Sequence, residues 1–321
     1  MTIGIIGLGS IGKRHAKVLH QLGVEHIVAL RTRKGAISIT PPELDFVTEV
    51  FSEAEFYQHN LTGVLVCTPT ALHVCGMLPA LQKGIPVMVE KPVAATVAEA
   101  DTLLEFADKV RVAYCLRFLP LISEIRNLLA NGKIGRVVKV SFERGFYLPF
   151  WHPYADYRTE YVALKELGGG VLRTFSHEID LMQFLFGPAI SVSGAVDKVS
   201  ELELNTEDVA HFSCKVFGGA RVNFDLDLLN PENKSACTIL GTKGKLEYSF
   251  SGKVLRYSNY QNQTEELASE TDFDSDKMYE NQMRDFLGFI QTGRSGNCTL
   301  QEGIQVLKVI EAVEKCASVP V

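Results

Sequence analysis

The sequence predicts an α/β chain in two parts: a doubly wound parallel sheet, then an α+β part on an open, mostly antiparallel sheet. Three observations predict it. Short β-branched runs alternate with helical patterns through the first third. Gly7-Leu8-Gly9-Ser10-Ile11-Gly12 sits at the first of those alternations. After Phe118-Leu119-Pro120 the apolar pattern turns to strict alternation. The expected boundaries are 1–118 and 119–321.

Ile3, Ile5 and Ile6 are too short a run for a helix and rich in strand formers. Ile11, Val18, Leu19 and Leu22 then line one helical face, and Gly23 stands where a helix ends. Ile27-Val28-Ala29-Leu30 completes a βαβ unit. Gly63–Cys67 and Val87–Val89 read as buried strands flanking a helix over 71–83. Thr96 and Glu99 form a capping box before an apolar stripe that runs to Ala107. Arg111–Tyr114 is the last short strand of this part, and a helix follows over about 120–130. Beyond it, Val138, Val140 and Phe142 alternate with Lys139, Ser141 and Glu143. Val222, Phe224, Leu226 and Leu228 alternate in the same way with polar residues. Gly218-Gly219 and Thr242-Lys243-Gly244 are hairpin signals. Helices are expected near 276–291 and 301–316.

A strand, a glycine turn and a helix in this order let backbone N–H groups approach a pyrophosphate at the positive helix end. Gly7, Gly9, Ser10, Ile11 and Gly12 are the expected contacts. NAD-preferring folds usually place Asp or Glu at the end of the second strand, about 20 residues on. Here Arg31-Thr32-Arg33 stands there. A guanidinium binds a 2′-phosphate that a carboxylate would repel. The expectation is NADP, with NAD as the alternative; the other reading of the run is a solvated basic turn.

The 321 residues are 46% hydrophobic and 22% charged, with a net charge of −6. An acidic chain argues against a general nucleic-acid binder. The seven cysteines form no C-x-x-C pair, so neither a disulfide framework nor zinc spacing is read, and no metal is expected. No run reaches the ~18 apolar residues that would span a membrane. No signal-peptide pattern opens the chain, so a reducing, cytoplasmic location is expected.

Glu90-Lys91-Pro92 follows a parallel strand, where ligands of such sheets bind. A lysine there polarises a substrate oxygen, or it is a surface lysine of a βα loop. Thr68-Pro69-Thr70 follows another strand end and could wall the cofactor. After Gly168-Gly169-Gly170, a helix would place Arg173, His177 and Asp180 on one polar stripe, so that Asp180 could orient His177. Trp151-His152-Pro153-Tyr154, with Asp156, Arg158 and Tyr161, reads either as a substrate-covering loop or as a loop packed on its own sheet.

These motifs together resemble the glucose–fructose oxidoreductase, inositol dehydrogenase and rhizopine-catabolism (Gfo/Idh/MocA) family. They are the glycine motif with Arg14-His15, Thr68-Pro69 with His73, Glu90-Lys91-Pro92, the Gly169-Gly170 segment with His177 and Asp180, and Gly241–Gly244. They span nearly the whole chain in order. The resemblance implies a Rossmann domain and a C-terminal domain whose open sheet builds homodimers or homotetramers. It implies hydride transfer between nicotinamide and a sugar-like carbon, with Lys91 at the reacting oxygen and His177 as proton donor or acceptor. Thr68, Pro69, His73, Glu90, Lys91 and Pro92 would lie against the cofactor. Tyr114 and Arg117 sit where the family lines its cleft. Arg117, with Trp151, Arg158, Arg173 and Asp180 from the residue reading, makes up the candidate substrate contacts.

One departure stands out. The family commonly carries Asp four residues before the histidine, where this chain has Arg173. Arg173 then reads as a partner for a substrate carboxylate or phosphate, or as a sign of impaired chemistry. The segment from Trp151 to Asp180 is similar to members of bacterial surface-sugar and nonulosonic acid metabolism. Two other functions stay open: redox-neutral glycoside cleavage on bound NAD, and a non-catalytic nucleotide-sensing regulator.

Overall fold

The structure is a computed structural model, described here for residues 1–31, 42–153, 155–268, 270–294, 296 and 298–316. Its residues cluster into two units. The first comprises Met1–Cys115 and Asp276–Ile304, the second Leu116–Ser275 and Gln305–Val321.

In the first unit, β1 (Thr2–Ile6), β2 (His26–Leu30), β3 (Val47–Val50), β4 (Gly63–Val66), β5 (Val87–Val89) and β6 (Val110–Val112) pair in parallel. Their order is β6-β5-β4-β1-β2-β3, so the connection reverses between β1 and β4. That reversal opens the crevice in which doubly wound sheets take ligands. The strands are β-branched and almost wholly buried because helices cover both faces.

The segment Asp276–Ile304, which the expected boundary places in the second domain, clusters with the first unit. Met283, Phe286 and Phe289 of the helix Ser275–Thr292 are buried in the same core as Ile3, Ile5, Leu19 and Ile27. A short antiparallel strand, Cys298–Thr299, extends this sheet beyond β6. β3 has no counterpart in the sequence reading. The helix begun by Thr96 stops at Asp101 and resumes only as a 3-10 turn, Leu104–Phe106, so the stripe to Ala107 is not one helix.

The second unit is built on eight strands: β7 (Val137–Tyr147), β8 (Ala189–Asp197), β9 (Val209–Val216), β10 (Arg221–Asp227), β11 (Leu229–Gly241), β12 (Gly244–Ser249), β13 (Val254–Asn259) and β14 (Thr264–Glu266). They run in the order β14-β13-β12-β11-β7-β10-β9-β8. All neighbours are antiparallel except β7 and β10, which are parallel. β9 and β10 bury alternate residues, giving one packed and one open face. Phe142, Phe224 and Phe212 stack across the packed face, with ring centroids 5.3 and 4.4 Å apart. Among the described residues, no helix is long and apolar enough to cross a membrane.

The polar stripe after Gly170 is corrected by the backbone. Val171–Thr174 and Ser176–Phe186 are separate helices. Phe175 lies between them at φ −98° and ψ 28°, outside helical geometry. Arg173 and His177 therefore stand on different helices, and Arg173 is not one helical turn from the histidine.

Candidate functional site

The glycine loop leaves β1 and enters the helix Ser10–Gln21 directly. Gly7 has φ +93°, a left-handed value that suits glycine. A Cβ on Gly12 would lie 2.2 Å from the Gly7 carbonyl oxygen, so only glycine closes this turn. Gly9 is the N-cap, without a side-chain cap and with no acidic residue in the first helical turn. The first N–H groups, including those of Ser10 and Ile11, are thus left for an anion, and the helix dipole favours one. A Cβ on Gly9 would meet nothing within 4 Å. This backbone cradle fits the pyrophosphate of a dinucleotide.

Arg31 follows β2, and its side chain is almost wholly buried. Its Nη1 donates to Glu49 on β3 at 2.8 Å. Burial, and next the Arg31 charge, hold the Lys13 ammonium below its ordinary range. Lys13 also feels the Glu43 and Lys17 charges, so cations and carboxylates alternate around the end of β2. Thr32 and Arg33 lie outside the described residues.

The strand ends opposite are tied together by His73. Its Nδ1 faces the Pro92 carbonyl at 2.8 Å and its Nε2 the Thr68 carbonyl at 2.9 Å. Burial depresses its pKa against the pull of those two carbonyls. Thr68, Pro69, Pro92 and the Glu90-Lys91 step are thus held as one wall by a single buried ring. His73 thus joins the two strand ends, with a ring nitrogen against each of the two carbonyls.

Lys91 follows β5 and is half-buried. Its backbone N–H points at Glu90 Oε2, 3.3 Å away. The other carboxylate oxygen of Glu90 is 2.8 Å from Nε2 of His15, on the glycine-loop helix. His15 is buried, and the Tyr279 ring lies edge-on to it with centroids 5.9 Å apart. Arg14 in turn covers Tyr279 at 4.8 Å. Burial, then the Glu90 charge, push the Cys115 thiol up to about 12. His15 stands in the glycine motif without a role that the sequence assigns. Its spacing from the glycines was the available signal; Tyr279, 264 positions further on, gave none.

In the second unit the candidate residues separate. Arg117 and Asp180 come together, Nε to Oδ2 at 2.9 Å and Nη2 to Oδ1 at 2.7 Å. Their side chains are 3% and 1% exposed, so this two-pronged pair is sealed in the interior. The guanidinium also stacks over Phe184 at 4.8 Å. Asp180 thus accepts both prongs of the Arg117 guanidinium, one on each oxygen. Ser176, next to His177, is fully buried at the start of the helix that both share with Asp180.

Arg173 donates to Glu314 Oε1 at 2.5 Å. Glu207 lies in the same cluster: burial pushes its pKa up, the Arg173 charge draws it down, and the Glu314 charge raises it. The helix Val171–Thr174 starts against this carboxylate, with Leu172 N 3.4 Å from Glu207 Oε1. Trp151 stacks between Phe146 and His152, at 4.9 and 4.3 Å. His152 Nδ1 is 2.6 Å from Glu160 Oε1. Arg158 points into solvent and is held by Asp156 and Glu203. Trp151 thus packs on Phe146 of β7, and Arg158 links Asp156 to Glu203 at the surface.

Comparison with known proteins places this geometry. Residues 1–118 match the oxidoreductase family, NAD-binding Rossmann fold, and residues 122–247 match the GFO/IDH/MocA C-terminal domain. The chain is 24% identical to D-xylose 1-dehydrogenase (NADP(+)) 2 of Haloferax volcanii, covering 99% of this chain and 97% of that one. It is 25% identical to 2,7-anhydro-N-acetylneuraminate hydratase of Mediterraneibacter gnavus over 58% of this chain and 50% of the relative. Among solved structures, an oxidoreductase domain protein from Kribbella flavida superposes with a TM-score of 0.84 at 24% identity, covering 98% of this chain and 97% of that one.

Proposed function

The chain belongs to the Gfo/Idh/MocA family of nicotinamide-dependent oxidoreductases, and on that premise we propose that it interconverts an alcohol and a ketone on a sugar or sugar-derived acid. The observation that carries this reading is the Glu90-Lys91 step at the end of β5, in the same crevice as an open glycine-loop cradle. When bound, the nicotinamide cofactor supplies the hydride acceptor or donor. Lys91 holds its ammonium at the reacting oxygen and offsets the negative charge that gathers there. His177 takes the hydroxyl proton in oxidation and returns it in reduction.

NADP is the preferred cofactor in this reading. Arg31 replaces the usual acid, and Lys13 adds a second cation beside it. The named xylose relative uses NADP(+). The preference is tempered by Glu49, which already neutralises part of the Arg31 charge. A substrate anion on Arg173 would share its guanidinium with Glu314, which already holds Nη1. An Arg173→Ala variant with unchanged affinity for acidic sugars would remove Arg173 from the substrate site. The open face of the second-unit sheet is the proposed self-association surface, which light scattering of the purified protein tests.

The test is a panel of sugars, sugar acids and cyclitols with NADP+ or NAD+, followed by the absorbance of the reduced nicotinamide. Turnover is expected, with Lys91→Ala and His177→Ala each lowering kcat by about 100-fold or more. Full activity in either variant overturns the assignment. The hydratase relative supports a second reading, substrate cleavage with no net change in the cofactor. Product formation without accumulation of reduced nicotinamide would decide for it.

A further inference from the structure

The geometry points to a role for His15 that the hydride-transfer reading leaves unused: we propose that the His15–Glu90 pair is a positioning device for Lys91. The inference rests on the reading of Lys91 as the group at the reacting oxygen. His15 belongs to the helix whose N-terminus forms the cofactor cradle, and Glu90 to the turn that presents Lys91. The 2.8 Å contact between them spans 75 positions and fastens cradle to turn. Glu90 Oε2 meanwhile faces the Lys91 N–H. One carboxylate thus joins the helix that orients the cofactor to the residue that must meet its substrate.

The chemistry of the pair fixes its polarity. A carboxylate accepts, so His15 Nε2 carries the proton and donates it. Nδ1 is buried and has no hydrogen-bond partner among the described residues, which disfavours a proton there. The groups facing the pair are few and named. Tyr279 lies edge-on to His15, with Arg14 over its outer face. Cys67, Cys115, His73 and Tyr279 all feel the Glu90 charge, each being pulled upward by it. Lys91 also acts on Cys115 and His73, in the opposite direction. Glu90 is therefore the electrostatic centre of a closed cluster behind the catalytic turn. A small misplacement of Lys91 is costly, because proton and hydride transfer require near-contact geometry.

Three measurements test this. In kinetics on whichever substrate the panel identifies, His15→Ala and Glu90→Ala should each lower kcat about tenfold or more, and His15→Ala should leave the cofactor Kd from reduced-nicotinamide fluorescence little changed. The double variant should be no worse than the poorer single, since both remove the same contact. His15→Gln, whose amide N–H can replace Nε2–H, should recover most of the loss. Multiplying single effects, or a Gln variant as poor as the Ala one, overturns the proposal. Independently of any substrate, nitrogen NMR of the full chain should show a proton on His15 Nε2 that Glu90→Ala abolishes. A proton on Nδ1 with none on Nε2 overturns the pair even if the enzyme is active. An intact Nε2–H in a protein that turns over nothing on the panel would overturn the function reading and leave the pair.

Discussion

Two glycine-rich segments of this chain both open helices, and they end differently. Gly7–Gly12 feeds a helix of 12 residues whose first turn has neither a side-chain cap nor an acid. Gly168–Gly170 feeds a helix of four residues, and a Cβ on Gly170 would sit 2.2 Å from Glu207 Oε1. The first helix end is open to an external anion. The second is filled by the chain's own carboxylate. Glycines before a helix give backbone access, and what occupies that access decides whether it becomes a ligand site.

The contrast extends to what holds each region. The cradle rests on backbone geometry, while the Arg117, Arg173 and Asp180 region rests on ion pairs. The sharpest test is therefore to remove a side chain from the second region. Arg117→Ala leaves Asp180 charged and buried, and should cost about 3–5 kcal/mol of unfolding free energy in denaturant melts. A loss below about 1 kcal/mol would mean that water reaches the pair. Next comes Gly12→Ala, which should weaken NADPH binding by about 100-fold, roughly 2.7 kcal/mol, in a fluorescence titration. Undiminished binding would show that the cradle can shift around a Cβ.

A smaller effect is expected at Arg31. Arg31→Asp should move the ratio of kcat/KM for NADP+ over NAD+ by about tenfold or more towards NAD+. A ratio that stays put would assign cofactor choice elsewhere. The smallest concerns Glu207. Burial raises its folded pKa above the ordinary 4.5, so the proton is held more tightly in the folded state. That contribution to stability is fully present below the ordinary value and is lost as pH rises through the raised one. Glu207→Gln should therefore raise Tm by about 1–3 °C near pH 7, with the gain vanishing towards pH 4. A constant gain at all pH values would mean that the carboxyl is not the titrating cause.

The nucleotide half was legible because its signals are local. β-branched runs, three glycines and the Glu90-Lys91-Pro92 turn each lie within a few residues, and the sheet follows from their order. The ion pairs had no such signal. Arg117 and Asp180 are 63 positions apart and Arg173 and Glu314 are 141 apart, so their partners are set by tertiary packing alone. The break at Phe175 has no sequence signal, because phenylalanine is no helix breaker and the periodicity runs straight through it. β3 is not legible in the sequence because its four residues, Val-Thr-Glu-Val, are too few and too mixed to stand out.

The return of Asp276–Ile304 to the first unit has a consequence for how the chain is made. Synthesis delivers β1 to β6 early, yet Met283, Phe286 and Phe289 emerge from the ribosome only after the whole second sheet. Until then Ile3, Ile5, Leu19 and Ile27 lack part of their cover. A nascent chain stopped near residue 118 therefore presents an apolar surface for a chaperone to guard. Cutting the gene at that point would yield an aggregating fragment rather than a portable nucleotide-binding module.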